Sequence, residues 1–156
     1  MNKKTSVMII VFGTLLAIAV PCRAQAESCS PAVAEQAVIN ASEIIKHLGV
    51  KAAKEVITEK DARFRCGPYS VKVLDYKGTW VIDPEGTNVG RTVASFGDGA
   101  ATNFMNALIR AAVAKRGAVE SHLTTDTEHN KKINKILSYI DIPKHKVIVY
   151  GAFILD

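Results

Sequence analysis

The fifteen residues Tyr69-Ser-Val-Lys-Val-Leu-Asp-Tyr-Lys-Gly-Thr-Trp-Val-Ile-Asp83 decide the fold. They read as two short strands. Val71 and Val73 share one face of the first with Tyr69 and Asp75, while Ser70, Lys72, Leu74 and Tyr76 take the other. Lys77-Gly78 supplies the tight turn that a hairpin needs, and Asp83-Pro84 ends the second strand.

Toward the C-terminus the chain first becomes polar and glycine-rich, with Gly86, Gly90, Gly97 and Gly99. The triplet Gly97-Asp-Gly99 caps a helix whose apolar stripe is Phe104, Leu108, Ile109 and Val113. Arg116-Gly117 ends it. Val119, Ser121 and Leu123 then alternate with Glu120 and His122, as a strand requires. Residues 124–132 are wholly polar and read as a turn between strands. Residues 133–142 and 146–155 form the last two strands, turned at Pro143-Lys144-His145.

Toward the N-terminus, Ser30-Pro31 opens a helix, serine being a favoured cap and proline fitting the first turn. Val33, Ala37, Val38, Ala41, Ile44, Ile45 and Leu48 recur at helical spacing, and Gly49 is a natural stop. A shorter helix follows from about 50 to 60. The order is helices, two strands, helix, three strands. It fits an α+β domain with a five-stranded antiparallel sheet, N-terminal helices and one crossover helix.

Residues 1–26 have the order of a secretory signal: Lys3 and Lys4, an apolar run over 7–20, then Ala24-Gln-Ala26, with cleavage after Ala26. The run of 14 residues is short of the roughly 20 that a membrane-crossing helix needs. Residues 27–156 are then one exported, soluble domain, placed in the periplasm. Losing Lys3, Lys4 and Arg23 and no acid takes the formal charge from +5 to +2. That is an ordinary surface, not a nucleic-acid footprint.

Two of the three cysteines remain, Cys29 and Cys66. An even number in an exported chain favours a disulfide. An unbroken helix from 30 to 60 would run roughly 45 Å and carry Cys66 out of reach, so the bridge and a turn at Gly49 stand or fall together.

Several local signatures, in this order, resemble the single Cache domain family: Asp75-Tyr-Lys-Gly78, Asp83-Pro84, Gly90-Arg91, Asp98-Gly99, Gly117, Ser138-Tyr139 and Gly151-Ala-Phe-Ile154. These are extracytoplasmic, PAS-like sensor modules, and some are free periplasmic proteins. The resemblance runs over about 30–155 and implies reversible binding of a small metabolite against the sheet. The departures fall at ligand positions. Asp83 stands where the family has histidine, and Ser121 and Leu123 where it has aromatics. Ile136 stands where it has lysine, with Lys135 one place before, and Phe153 replaces a glycine.

Trp80, Asp83, Arg91, Ser121, Lys135 and Tyr139 are the candidate ligand-binding set. A carboxylate would take Arg91 or Lys135 as its charge partner, with Tyr139 or Ser121 orienting it. The alternative is a core indole surrounded by solvated charges, and with it a ligand-free interaction module serving a membrane receptor or transporter. His122, Asp126, Glu128 and His129 have metal-ligand types without motif spacing, and a solvated turn is the favoured reading. No nucleophile elbow, zinc-protease helix, phosphate loop or haem motif is present, so neither enzyme nor cofactor is expected.

Overall fold

A computed structural model describes residues 29–58, 60–128 and 131–155, so the expected signal 1–26 lies outside the described residues. Helix α1, Pro31–Val56, begins where expected: the Ser30 hydroxyl accepts from Val33 N at 3.3 Å. It breaks at Gly49, whose φ of +76° is a conformation that side-chain-bearing residues rarely adopt. The second piece ends at Val56, short of the expected residue 60. Ile57 turns into the core there, at 1% exposure, within a β-branched run that favours extended backbone.

The chain returns along α1 through Ala62–Phe64, a single 3-10 turn, to β1, Arg65–Cys66. Asn40 Nδ2 donates to the Arg63 carbonyl at 3.0 Å, tying the return to the helix. Cys29 and Cys66 are disulfide-bonded, with their Cα atoms 4.7 Å apart. The bridge and the break at Gly49 occur together.

β1 pairs with β2, Tyr69–Ser70, in a small hairpin. The main sheet is antiparallel and has the order β4-β3-β7-β6-β5. Its strands are β3 (Lys72–Asp75), β4 (Trp80–Ile82), β5 (Glu120–Glu128), β6 (Lys131–Ile142) and β7 (Val147–Leu155). The β3–β4 turn is organised by Asp75, whose Oδ1 accepts from Lys77 N at 2.9 Å and Thr79 N at 2.8 Å. Gly78 N closes the turn on the Asp75 carbonyl with φ +80°.

Residues 124–128 and 131–132 belong to strands rather than to a turn. β5 and β6 pair residue for residue from Glu120↔Tyr139 to Glu128↔Lys131. At 121–125, where burial is described, the side chains are exposed, so apolar alternation is not rewarded there. The threonines of the segment still suit a strand.

Both sheet faces are covered elsewhere. Ala34, Ala37, Val38, Ala41 and Ile45 of α1 pack on Val73, Ile136, Ile140, Val149 and Phe153. The small alanines let helix and sheet approach closely, and each fully buried valine, isoleucine or phenylalanine contributes about 1.5–3 kcal/mol. Helix α2, Gly99–Lys115, is capped by Asp98, which accepts from Ala100 N and Ala101 N. Its Met105, Leu108, Ile109 and Ala112 pack with Leu74, Trp80, Val93, Tyr139, Ile148 and Tyr150 on the opposite face.

Candidate functional site

In an antiparallel ladder, residues directly opposite share a face. Tyr139 pairs with Tyr150, Leu137 with His122 and Lys135 with Thr124. All six therefore lie on the α2 side, with Tyr139 and Tyr150 in the interior beneath that helix.

The centre of this face is a polar bridge inside an apolar layer. Trp80 Nε1 donates to Tyr150 Oη at 2.8 Å, and both side chains are buried. The Trp80 ring also meets Phe96 edge to face, with centroids 5.3 Å apart. Burial pushes the Tyr150 phenol well above the usual tyrosine range. The hydrogen bond from Trp80 opposes that, and the charges of Asp83 and Glu85 add to it. Tyr150 thus keeps its proton, which no acceptor among the described residues receives.

Tyr139 Oη lies 3.1 Å from His122 Nε2, and the two rings stack at 5.7 Å. Burial raises the Tyr139 pKa, and the charge of Glu120 adds to the rise. Glu120 lies 3.2 Å from Lys115 and 3.8 Å from His122, which ties the end of α2 to β5. Nearby, Tyr76 donates to the buried Asp141 carboxylate at 2.7 Å. Its phenol is pushed up to about 12 by burial and then by that hydrogen bond.

The six expected ligand residues do not form one group. Trp80, Tyr139 and Lys135 share the α2 side. Ser121 lies on the opposite face, where its hydroxyl is 2.9 Å from Ser138 Oγ and reaches Glu35 of α1 at 3.4 Å. The sequence marked β5 as alternating but could not say which of its two sides met which helix.

Asp83 is occupied in shaping the loop after β4. Its Oδ2 accepts from Asn88 N, Asn88 Nδ2 and Thr87 Oγ1. Oδ1 makes no hydrogen bond and faces the Lys72 ammonium 3.4 Å away. Arg91 is exposed, with its guanidinium stacked 4.0 Å over the Phe96 ring. Of the 84–98 segment, Val93 packs in the same buried cluster as Trp80, and the half-exposed Phe96 meets the indole edge to face.

Tyr150 was missed in the sequence because β7 is apolar on both faces, which conceals the one hydroxyl among them. Of the possible metal cluster, His129 lies outside the described residues, and His122 is turned to Tyr139 and Glu120. Among the described residues no three His, Cys, Asp or Glu side chains converge as metal ligands. No described helix is long and apolar enough to cross a membrane.

A cleft of about 420 Å³ lies elsewhere, between α1 and the returning segment, lined by Val33, Gln36, Asn40, Ala62, Arg63 and Arg65 among others. None of the six expected residues borders it. Arg63 is held there by Asp61 in a two-pronged pair.

No family model matches the sequence, and no curated protein matches it. Solved structures do. One was described for carboxylic acid recognition by a Cache chemosensory domain. It is 11% identical with a TM-score of 0.57, over 79% of this chain and 91% of that one. A periplasmic sensor domain of a chemotaxis protein is 18% identical with a TM-score of 0.53, over 81% and 95%. A methyl-accepting chemotaxis protein from Vibrio parahaemolyticus is 14% identical with a TM-score of 0.52, over 76% and 83%. Helix, hairpin, crossover helix and three closing strands give this chain the PAS-like fold of single Cache sensor domains.

Proposed function

We propose that the chain is an exported, periplasmic Cache-type binding domain that takes a small carboxylate metabolite on the α2 side of its sheet. The observation that carries this reading is the Tyr150 hydroxyl. It is buried, accepts from Trp80 and holds a proton with no acceptor among the described residues. A buried donor without a partner costs about 1–3 kcal/mol, and a ligand oxygen would remove that cost. Lys135, further along the same side, supplies positive charge, and His122 lies on that side too. Tyr139 orients the ligand.

Since Val93 and Phe96 pack against Trp80, binding requires the 84–98 segment to shift, and the ligand then replaces part of that packing. The reading also draws on the fold, one of whose solved examples recognises carboxylic acids. Binding would be passed to a membrane receptor or transporter, with no chemistry on the ligand.

A thermal-shift screen of the purified protein against organic acids, amino acids and purines tests this. A ligand at 100 times its Kd adds about 2.7 kcal/mol, a shift of several degrees. No stabiliser in the panel counts against the proposal.

The filled space around Trp80 favours a second reading, a ligand-free module that works through its outer surface. The same screen separates the two.

A further inference from the structure

Four segments meet at one end of the sheet. The β3–β4 turn is tied to the turn between β6 and β7, since Tyr76 N donates to the Lys146 carbonyl at 3.2 Å. The break in α1 lies against the same turn: a Cβ on Gly49 would stand 3.8 Å from His145 Cε1. The chain leaving α2 lies against the end of β6, where a Cβ on Gly117 would stand 3.6 Å from the Asp141 carbonyl oxygen.

Each of the four brings positive charge to this end. Lys77, Lys144 and Lys146 lie on the two turns, Lys51 just beyond the break and Arg116 at the end of α2, all exposed. Among the described residues none of the five takes part in an ion pair. The acids nearby are already engaged. Asp75 accepts from its own turn, Asp141 is buried against Tyr76, and Glu43 and Glu120 hold Lys46 and Lys115. Glu55, one turn after Lys51, is the exposed exception.

A helix end attracts a basic side chain through its dipole, which accounts for Arg116 but not for the three lysines on the turns. Arg116 and Lys146 also have positive φ, 46° and 53°, alone among the described non-glycine residues. Glycine or asparagine would be less strained there, so two cations are held at a conformational cost. Leu48, the residue before the break, is 52% exposed.

We propose that this end of the domain docks on an anionic phospholipid surface, with the cations over the headgroups and Leu48 entering the layer beneath them. The residue types select the partner. Protein interfaces are enriched in arginine and aromatic side chains and depleted in lysine. Here four of the five unpaired cations are lysines, and the one aromatic side chain beside them, Tyr76, is turned to Asp141. A lysine ammonium is a hydrated point charge that suits a diffuse field of phosphates, whereas a shaped carboxylate pattern favours the arginine fork. Clustered basic residues are how proteins hold reversibly to anionic membranes. Export, as proposed above, puts the chain beside such a surface; the carboxylate site on the α2 side plays no part.

Co-sedimentation with vesicles tests this, using the protein purified from a soluble extract. Vesicles of phosphatidylcholine alone are compared with vesicles of equal parts phosphatidylcholine and phosphatidylglycerol. Binding is expected to the anionic vesicles only, and to fall steeply with added salt. Each cation near the surface is worth about fivefold in affinity. Combining Lys51→Glu, Lys77→Glu and Lys144→Glu should therefore weaken binding about a hundredfold or more. All three sites are exposed and unpaired, so the circular dichroism should not change. Lys60→Glu, an exposed site on the segment returning along α1, should leave binding almost unchanged. Leu48→Ser should weaken it several-fold without altering its salt dependence. Equal binding to neutral and anionic vesicles, or a triple variant that binds like the wild type, overturns the proposal. So does a protein that ignores anionic vesicles but binds soluble polyglutamate, which would assign this end to an acidic protein.

Discussion

The indole of Trp80 and the phenol of Tyr150 meet at 2.8 Å across an intervening strand, β3, and join an edge strand to the middle of the sheet. The phenol oxygen satisfies the indole N–H, both side chains are buried, and the pair sets the floor beneath α2.

Removing both partners should therefore cost less than the sum of removing each. Tyr150→Phe leaves the indole N–H buried without an acceptor, at about 1–3 kcal/mol. Trp80→Phe costs its own lost volume and hydrogen bond. The double variant should be more stable than the sum of the single losses by about 1 kcal/mol or more. Urea unfolding of the four proteins measures this, and strict additivity would show that the two side chains do not act as a unit.

Gly151 is required by its neighbour. A Cβ at that position would lie 1.9 Å from Phe153 Cζ, because the phenylalanine ring folds back over the glycine. Gly151→Ala should destabilise the fold by about 1–3 kcal/mol, the usual cost of overpacking. In a Phe153→Leu background the same alanine should cost clearly less. An equal cost in both backgrounds would place the conflict elsewhere.

High pH should destabilise the protein through its buried and partly buried tyrosines. The Tyr76 phenol is held up to about 12 by burial and by Asp141, against ~10 in an unfolded chain. Between those values the folded state keeps a proton that the unfolded chain has lost. Stability is whole below about pH 10 and falls as pH rises toward 12. Tyr139 and Tyr150 are raised in the same direction and deepen the loss. Urea midpoints taken at about pH 8, 10 and 11.5 follow it, and a flat profile across the upper interval would contradict it.

The Cys29–Cys66 bridge closes a separation of 37 residues. The loop-entropy account gives it about 4 kcal/mol. Replacing both cysteines by serine should lower the unfolding free energy by about 2–5 kcal/mol without changing the sheet. A loss well below that range would mean that the return along α1 holds without the bridge.

What the sequence disclosed follows from how local each determinant is. The Asp75–Gly78 turn, the Ser30 and Asp98 caps and the break at Gly49 depend on a few adjacent residues, and each sits where the pattern placed it. The site was harder because it depends on register. Ser121 and Tyr139 are both polar residues on neighbouring strands, yet the pairing Glu120↔Tyr139 sends them to opposite faces. Asp83 presented itself as a ligand carboxylate, and its hydrogen bonds go to its own loop. In the doubly buried β7, nothing distinguishes the side on which Tyr150 lies. The polar arm of β5 lacks the apolar alternation that reveals a strand.

The chain has a single tryptophan, so its indole N–H gives one isolated signal in a nitrogen–proton correlation spectrum. Titrating the labelled protein with pooled carboxylic acids reads the central claim directly. The account predicts that a binding acid moves the Trp80 indole signal together with the amides of Tyr139 and Tyr150, and that Tyr150→Phe abolishes the response. An indole signal that stays fixed while shifts gather around Asn40 and Arg63, or a spectrum that no acid alters, would contradict it.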